Sequence, residues 1–350
     1  MVGGGDDLTS AETYDPATEK WTTTGHTWHP RWLAAMTILP TEKVLLAHGL
    51  QQLNSGIAEL YHSKIREWVP TSVPIYPRNN GPTATLLQNG KVLIAGGLSY
   101  GGYAKIAEVY DPITQSWAPT GAMIEGRYGH TATLLPTGEV LVFGGAGEFR
   151  NSTEPNPTAE LYDPTRGTWR NVNGPFQNWY HHTATLLRNG KVLACGGTLT
   201  SALGETTSAE LYDVTTENWY ATGALHQKRR SHTATLLPDG RVLVVGGVQL
   251  EPFTSLRSAE LYNPNTQSWS LAQDPIYPRA DHTATLLPNG KVVVAGGTAN
   301  GWDAKTRSVS AEIFDPSTGI WMATGSLNMP RSAHISALVA VTDISPPVHP

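Results

Sequence analysis

The stretch His282-Thr-Ala-Thr-Leu-Leu-Pro-Asn-Gly-Lys-Val-Val-Val-Ala-Gly-Gly297 recurs with few changes from His130, His182 and His232. Near-copies of sixteen residues constrain the fold more than any other property of the chain. A protein with one active site has no use for four versions of a catalytic motif, so repetition at this length belongs to architecture. Function is then to be sought where the copies differ.

Each copy carries strand signals in a fixed order. The alternating HTATLL segment and the KVLVAGG-type segment are separated by Asn89-Gly90, Asn189-Gly190, Asp239-Gly240 or Asn289-Gly290, which supply the positive φ angles of a tight hairpin. A third strand is read at Ala11–Tyr14, Ala58–Tyr61, Ala107–Tyr110, Ala159–Tyr162, Ala209–Tyr212, Ala259–Tyr262 and Ala311–Phe314. Turns such as Asp111-Pro112 and Asp315-Pro316 lead to a fourth, marked by Trp21, Trp68, Trp117, Trp169, Trp219, Trp269 and Trp321. Seven third strands and seven tryptophans predict seven units.

A four-stranded antiparallel unit of about 50 residues with paired glycines and one tryptophan resembles the kelch repeat, which implies a blade of a β-propeller. The resemblance covers essentially the whole chain. The expected fold is therefore all-β, a single seven-bladed kelch-type propeller over residues 1–350 with four antiparallel strands per blade. Residues 331–341 start a unit that never acquires its own Gly-Gly or tryptophan, whereas residues 2–21 supply glycines, a third strand and Trp21 without a first strand. The resemblance implies that segments 1–21 and 331–350 close one split blade, leaving fewer open sheet edges. Only Met1 and Val2 precede its glycines, so its second strand is expected to be short or missing.

Composition fits this reading: 39% hydrophobic and 15% charged residues, with 35 Gly and 25 Pro to supply turns. A net charge of -5 without long Lys/Arg runs points away from nucleic acid. The longest apolar runs are strand-sized, so no membrane span is expected. The lone Cys195 stands where other copies have Ala95, Phe143, Val245 and Ala295, which predicts a packing role. No signal peptide precedes the repeats; a cytoplasmic location is expected, or an extracellular one if a leader has been removed. Asn151-Ser152-Thr153 fits a glycosylation acceptor.

Repetition also sorts residues by role. Glu12, Glu59, Glu108, Glu160, Glu210, Glu260 and Glu312 recur in every unit and are expected to accept scaffold hydrogen bonds. Strand direction places the entry into each blade and the loop after each Gly-Gly on one face, and those loops are long and unlike one another. They carry Tyr103 and Trp302, together with Tyr100, Phe149 and Phe253. Arg127, Arg229, Arg279 and Arg331 stand three residues before a repeated histidine, and Arg31 and Arg78 hold similar entries. A ring of guanidinium groups around the channel mouth, suited to carboxylate or phosphate, is the expectation. Two breaks stand out. Asn178-Trp179-Tyr180-His181-His182 replaces the arginine entry with aromatics, and the blade starting at Arg31 adds Trp32, has Ala34 for the histidine and His48 for a glycine. The candidate ligand-binding set is Arg31, Trp32, Tyr103, Arg127, Trp179, Tyr180, His181, His182, Arg229, Arg279, Trp302 and Arg331.

The expected function is non-catalytic binding of a protein segment or glycan through the loop-rich face. The alternative is an enzyme acting on an anionic or sugar-type substrate at the channel mouth: a hydrolase, lyase, epimerase or copper oxidase. Galactose oxidase and glyoxal oxidase, also seven-bladed kelch propellers, hold copper on the axis, and Tyr180-His181-His182 is superficially similar to one part of their site. Their tyrosine–cysteine pair has no counterpart, because Cys195 lies in a second strand and the residue before His182 is His181. Neither metal nor cofactor is expected. Nucleophile-elbow, zincin, phosphate-loop and dinucleotide signatures are absent from the sequence.

Overall fold

The computed structural model describes residues 1–339 except 4, 6–8, 32, 50–56, 100–101, 148–157, 178, 200–203, 251–252 and 302. Seven four-stranded antiparallel sheets form the blades of one propeller. Blade 1 joins the two chain ends: Ile335–Ser336 pairs with Val2–Gly3, followed by Ala11–Asp15 and Lys20–Thr24. Blades 2 to 7 begin with the inner strands Ala35–Ile38, Thr83–Leu86, Thr131–Leu134, Thr183–Leu186, Thr233–Leu236 and Thr283–Leu286. The second strand of the split blade is present, but only two residues long.

Local chemistry sets these elements. At the first hairpin of blade 3, Gly90 adopts φ 80° and its N–H donates to Leu87 O at 3.0 Å, while Lys91 N–H donates to Asn89 Oδ1 at 3.1 Å. Asn89 itself does not need the left-handed region, so glycine alone supplies the positive φ. Strand two is buried throughout, as in Val92–Ala95 and Val140–Phe143, because both sheet faces meet neighbouring blades. Asx turns follow strand three, with Asp111 Oδ1 accepting from Ile113 N–H at 2.9 Å.

The core lies between blades. Tyr162 and Trp169 pack at 5.0 Å, and the indole N–H of Trp169 donates at 2.7 Å to Gly121 O, just past the preceding blade. Trp117, Trp219, Trp269 and Trp321 make the corresponding bond. The indole nitrogens of Trp21 and Trp68, at the two interfaces flanking the split blade, have no hydrogen-bond partner. A cavity of about 570 Å³ also opens between blades 7 and 1, lined by Val2, Tyr14, Trp21, Leu287 and Val293 among others. Closure by two segments thus leaves both interfaces of the split blade without the indole hydrogen bond that five other tryptophans make.

The expected ring of guanidinium groups does not reach the mouth. Arg31, Arg127, Arg229, Arg279 and Arg331 are 0–1% exposed. Each pairs with the repeated glutamate of its own blade: Arg31–Glu59 at 2.6 Å, Arg127–Glu160 at 3.0 Å, Arg229–Glu260 at 2.7 Å, Arg279–Glu312 at 2.5 Å and Arg331–Glu12 at 2.8 Å. Arg31, Arg127, Arg229 and Arg279 also reach the end of strand two, as in Arg127 Nη1 to Gly144 O at 3.1 Å. Arg279→Ala would strand Glu312 as an unpaired buried carboxylate, at a cost of about 3–5 kcal/mol. Urea unfolding should show this loss, and Arg279→Met with Glu312→Gln should recover much of it; equal losses in both variants would contradict a pair-centred role.

Candidate functional site

The entry to each blade bends through one left-handed residue immediately before the repeated-histidine position. Those seven residues are Leu33, Gly81, Gly129, His181, Ser231, Asp281 and Ala333, with φ between 46° and 67°. They form a belt. Gly81 N–H donates to Leu33 O, His181 to Gly129 O, Ser231 to His181 O, Asp281 to Ser231 O and Ala333 to Asp281 O, at 2.9–3.4 Å. The belt explains the unusual backbone of its five non-glycine members: hydrogen bonding between adjacent blades over-determines it.

Side chains of the belt line a funnel at the channel mouth, with two overlapping lobes of about 310 Å³ each. Leu33 and Ala333 supply apolar surface, while His181, Ser231 and Asp281 supply polar groups. Gly81 and Gly129 leave room for aromatic rings: a Cβ at Gly81 would meet the Tyr128 ring at 2.7 Å, and one at Gly129 the Tyr180 ring at 3.0 Å. Tyr128 and Tyr180 lie 6.4 Å apart at 45°, with His181 3.9 Å from Tyr180 and 6.3 Å from Tyr128. Burial raises both phenols, and the neighbouring Tyr103 contributes to each shift.

Below the belt, His130, His182, His232, His282 and His334 are buried. Their Nε2 atoms meet Thr83, Thr131, Thr183, Thr233 and Thr283 of the preceding blade at 2.9–3.2 Å. Burial holds them neutral, pushing His130, His182 and His334 down to about 3 and His232 and His282 well below the ordinary value. His181 falls to about 4, by burial first and the Arg230 charge second. Cys195 is 1% exposed in the core, its thiol pushed up to about 12 by burial. Among the described residues no group of three His, Cys, Asp or Glu is placed to hold a metal ion.

The sequence-derived candidates therefore divide. Tyr180 and His181 line the mouth and Tyr103 stands near it, whereas the five arginines and His182 serve the scaffold. Trp179 is 0% exposed and packs on His182 at 5.9 Å within the core between blades 4 and 5. Trp32 and Trp302 lie outside the described residues, as do Asn151-Ser152-Thr153. Tyr128, Ser231 and Asp281 were not anticipated. For Ser231 and Asp281 the signal was available: the residue before the repeated-histidine position changes from blade to blade except between the two glycines, Gly81 and Gly129.

Comparison with known proteins agrees with this architecture. A family model described as the KLHDC2/KLHL20/DRC7 Kelch-repeats domain matches residues 81–297, and a Kelch motif model matches residues 278–328. The chain belongs to the kelch-repeat β-propeller family. Among solved structures it is similar to a fungal alcohol oxidase of the AA5 family in complex with copper, at 18% identity and TM-score 0.70 over 95% of this chain and 68% of that one. It is also similar to YjhT, at 15% identity and TM-score 0.62 over 84% and 97%. No curated protein matches. At these identities the structural likeness is one of fold.

Replacing arginine by Trp179 has a measurable consequence in blade 5. Glu210 is 3% exposed and accepts Phe176 N–H at 2.9 Å, and burial raises its carboxyl from 4.5 to about 7. A carboxyl raised on folding contributes stability that is fully present below about pH 4.5 and is lost as pH rises through about 7. Glu210→Gln should therefore melt close to the parent at pH 5 and above it at pH 8. A constant difference across that range would contradict the assignment.

Proposed function

We propose that this chain is a binding module that holds a protein segment or a glycan at the mouth of its channel, on the loop-rich face. The observation that carries this reading is the contrast, in blades 4 to 7, between an unchanged HTATLL inner segment and the belt residue just before it, which is Gly129, His181, Ser231 or Asp281. Inner strands, histidines and threonines repeat almost unchanged, while the belt positions differ in size and polarity and line one concave funnel. Kelch domains generally bind proteins, in keeping with the fold-level expectation. The neutral imidazoles and their threonine partners favour a structural role over acid–base work, and a thiol held near 12 is a poor nucleophile.

The experiment is selection of ligands on the intact chain from a peptide library and a glycan array, followed by affinity measurement. Tyr180→Ala and Asp281→Ala should each weaken the selected ligand about tenfold or more, the scale of one lost charge-assisted hydrogen bond or aromatic contact. Asn189→Asp, in a hairpin turn on the opposite face, should leave affinity unchanged. Binding that survives both funnel substitutions but disappears with the Asn189 variant, with all three proteins folded, would overturn the reading.

A further inference from the structure

In the split blade the second strand is shorter than the two segments that flank it. Gly3 lies opposite Ala11 and Ile335, Val2 lies opposite Glu12 and Ser336, and Met1 meets Ala337, whose N–H donates to Met1 O at 2.9 Å. The flanking segments run on, to Asp15 on one side and Val339 on the other. In the same register of the other six blades, the next position toward the hairpin is Val44, Val92, Val140, Val192, Val242 or Val292, each 0% exposed. The position before that valine is basic in five of the six. Three of those residues pair with the aspartate that ends strand three: Lys91–Asp111 at 3.1 Å, Lys191–Asp213 at 2.9 Å and Lys291–Asp315 at 3.1 Å. Asp15 is the corresponding aspartate of the split blade. It accepts Ala17 N–H at 2.9 Å and the Thr18 hydroxyl at 2.8 Å, and among the described residues it has no ion pair.

From this register we propose that the split blade accepts a short β-strand of another polypeptide, a basic residue followed by valine or isoleucine, between Tyr14–Asp15 and Leu338–Val339. The cavity of about 570 Å³ between blades 7 and 1 is lined by those four residues and by Leu287 and Val293 of blade 7. Two strand spacings, about 9.5 Å, separate the neighbours of any second strand, which leaves room for one extended backbone bonded on both edges. The apolar residue would cover Leu338, which is 42% exposed, and the basic residue would meet Asp15. An acidic strand would set like charge against Asp15. The chain's own tail is a poorer fit: counted at the spacing of Leu286 to Val292, Ile344 takes the valine's place, but Asp343 takes the lysine's and Thr342 that of Gly290, whose φ is 82°. This slot opens on the face of the hairpin turns, so the inference stands apart from the funnel.

The test is titration of the full chain with acetyl-Asn-Gly-Lys-Val-amide and with the same peptide carrying glutamate for lysine, followed by amide NMR and thermal melting. The lysine peptide should bind saturably, shift the amides of Tyr14 and Leu338 and raise the melting temperature. It should bind about tenfold tighter than the glutamate peptide, with the difference shrinking as salt rises. Asp15→Asn should remove that difference while the chain stays folded, because Asn263 makes the same turn in blade 6, accepting Asn265 N–H at 3.0 Å. Replacing the peptide valine by aspartate should abolish binding. Equal binding of the lysine and glutamate peptides, an unaltered preference in Asp15→Asn, or no binding of the lysine peptide would each overturn the proposal. So would nuclear Overhauser contacts between the Ile344 methyls and the Tyr14 ring in the peptide-free chain, which would assign the slot to the tail.

Discussion

The buried arginine–glutamate pair is the contact on which the rest of the ring depends. In a typical blade the guanidinium joins the entry segment, the end of strand two and the carboxylate on strand three, while that carboxylate also accepts backbone N–H groups from the segment leading into the blade. In blade 4, Ile124 N–H reaches Glu160 at 2.7 Å, and Arg127 O accepts Gly97 N–H of blade 3 at 2.7 Å. One residue thus fixes its own blade and stitches it to the previous one. A Cβ on Gly96 would come within 2.8 Å of Arg127 O, so the paired glycines are required by how closely this backbone approaches.

Deviations from the pair are local. Blade 5 gives up the charge pair: Trp179 fills the arginine's place with apolar volume, and the carboxyl of Glu210 becomes easier to protonate. Blades 2 and 3 exchange roles across their interface. Elsewhere a histidine packs against the first glycine of the preceding blade, as His130 does over Gly96. Here His48 occupies the glycine position and Pro82 the histidine position. His48 is 1% exposed and lies 3.6 Å from Glu108, whose contact with Arg78 stretches to 3.4 Å. Burial and the crowding around it hold His48 at about 4 and Arg78 at about 10.

Blade number, strand order and the split blade were legible because each rests on a repeated local signal: an Asn-Gly turn, an alternating strand, one tryptophan per unit. The site was legible only in part. Tyr180 and His181 announced themselves by breaking the pattern. The arginines misled because an entry position says which face a backbone belongs to and nothing about where a long side chain goes; their glutamate partners lie on strand three, about thirty residues onward in four blades and at the opposite end of the chain for Arg331. Trp179 misled for a related reason, since an aromatic that breaks a repeat can be filling the volume of the residue it replaced. Asp281 and Ser231 escaped because a single-residue position inside a conspicuous motif looks like noise until the belt brings its seven members together.

That belt shows how such a scaffold can acquire specificity at low structural cost. Its backbone groups satisfy one another between blades, so the conformation does not depend on which side chain each position carries, and left-handed residues as different as Leu33, His181, Ser231 and Asp281 are tolerated. In the histidine layer beneath, each Nε2 meets a threonine of the preceding blade, and the imidazoles stay uncharged. Electrostatics at the mouth are therefore set by the belt and the residues just above it, with little interference from below. The repeated residues make the funnel, and the belt positions set the chemistry of its lining.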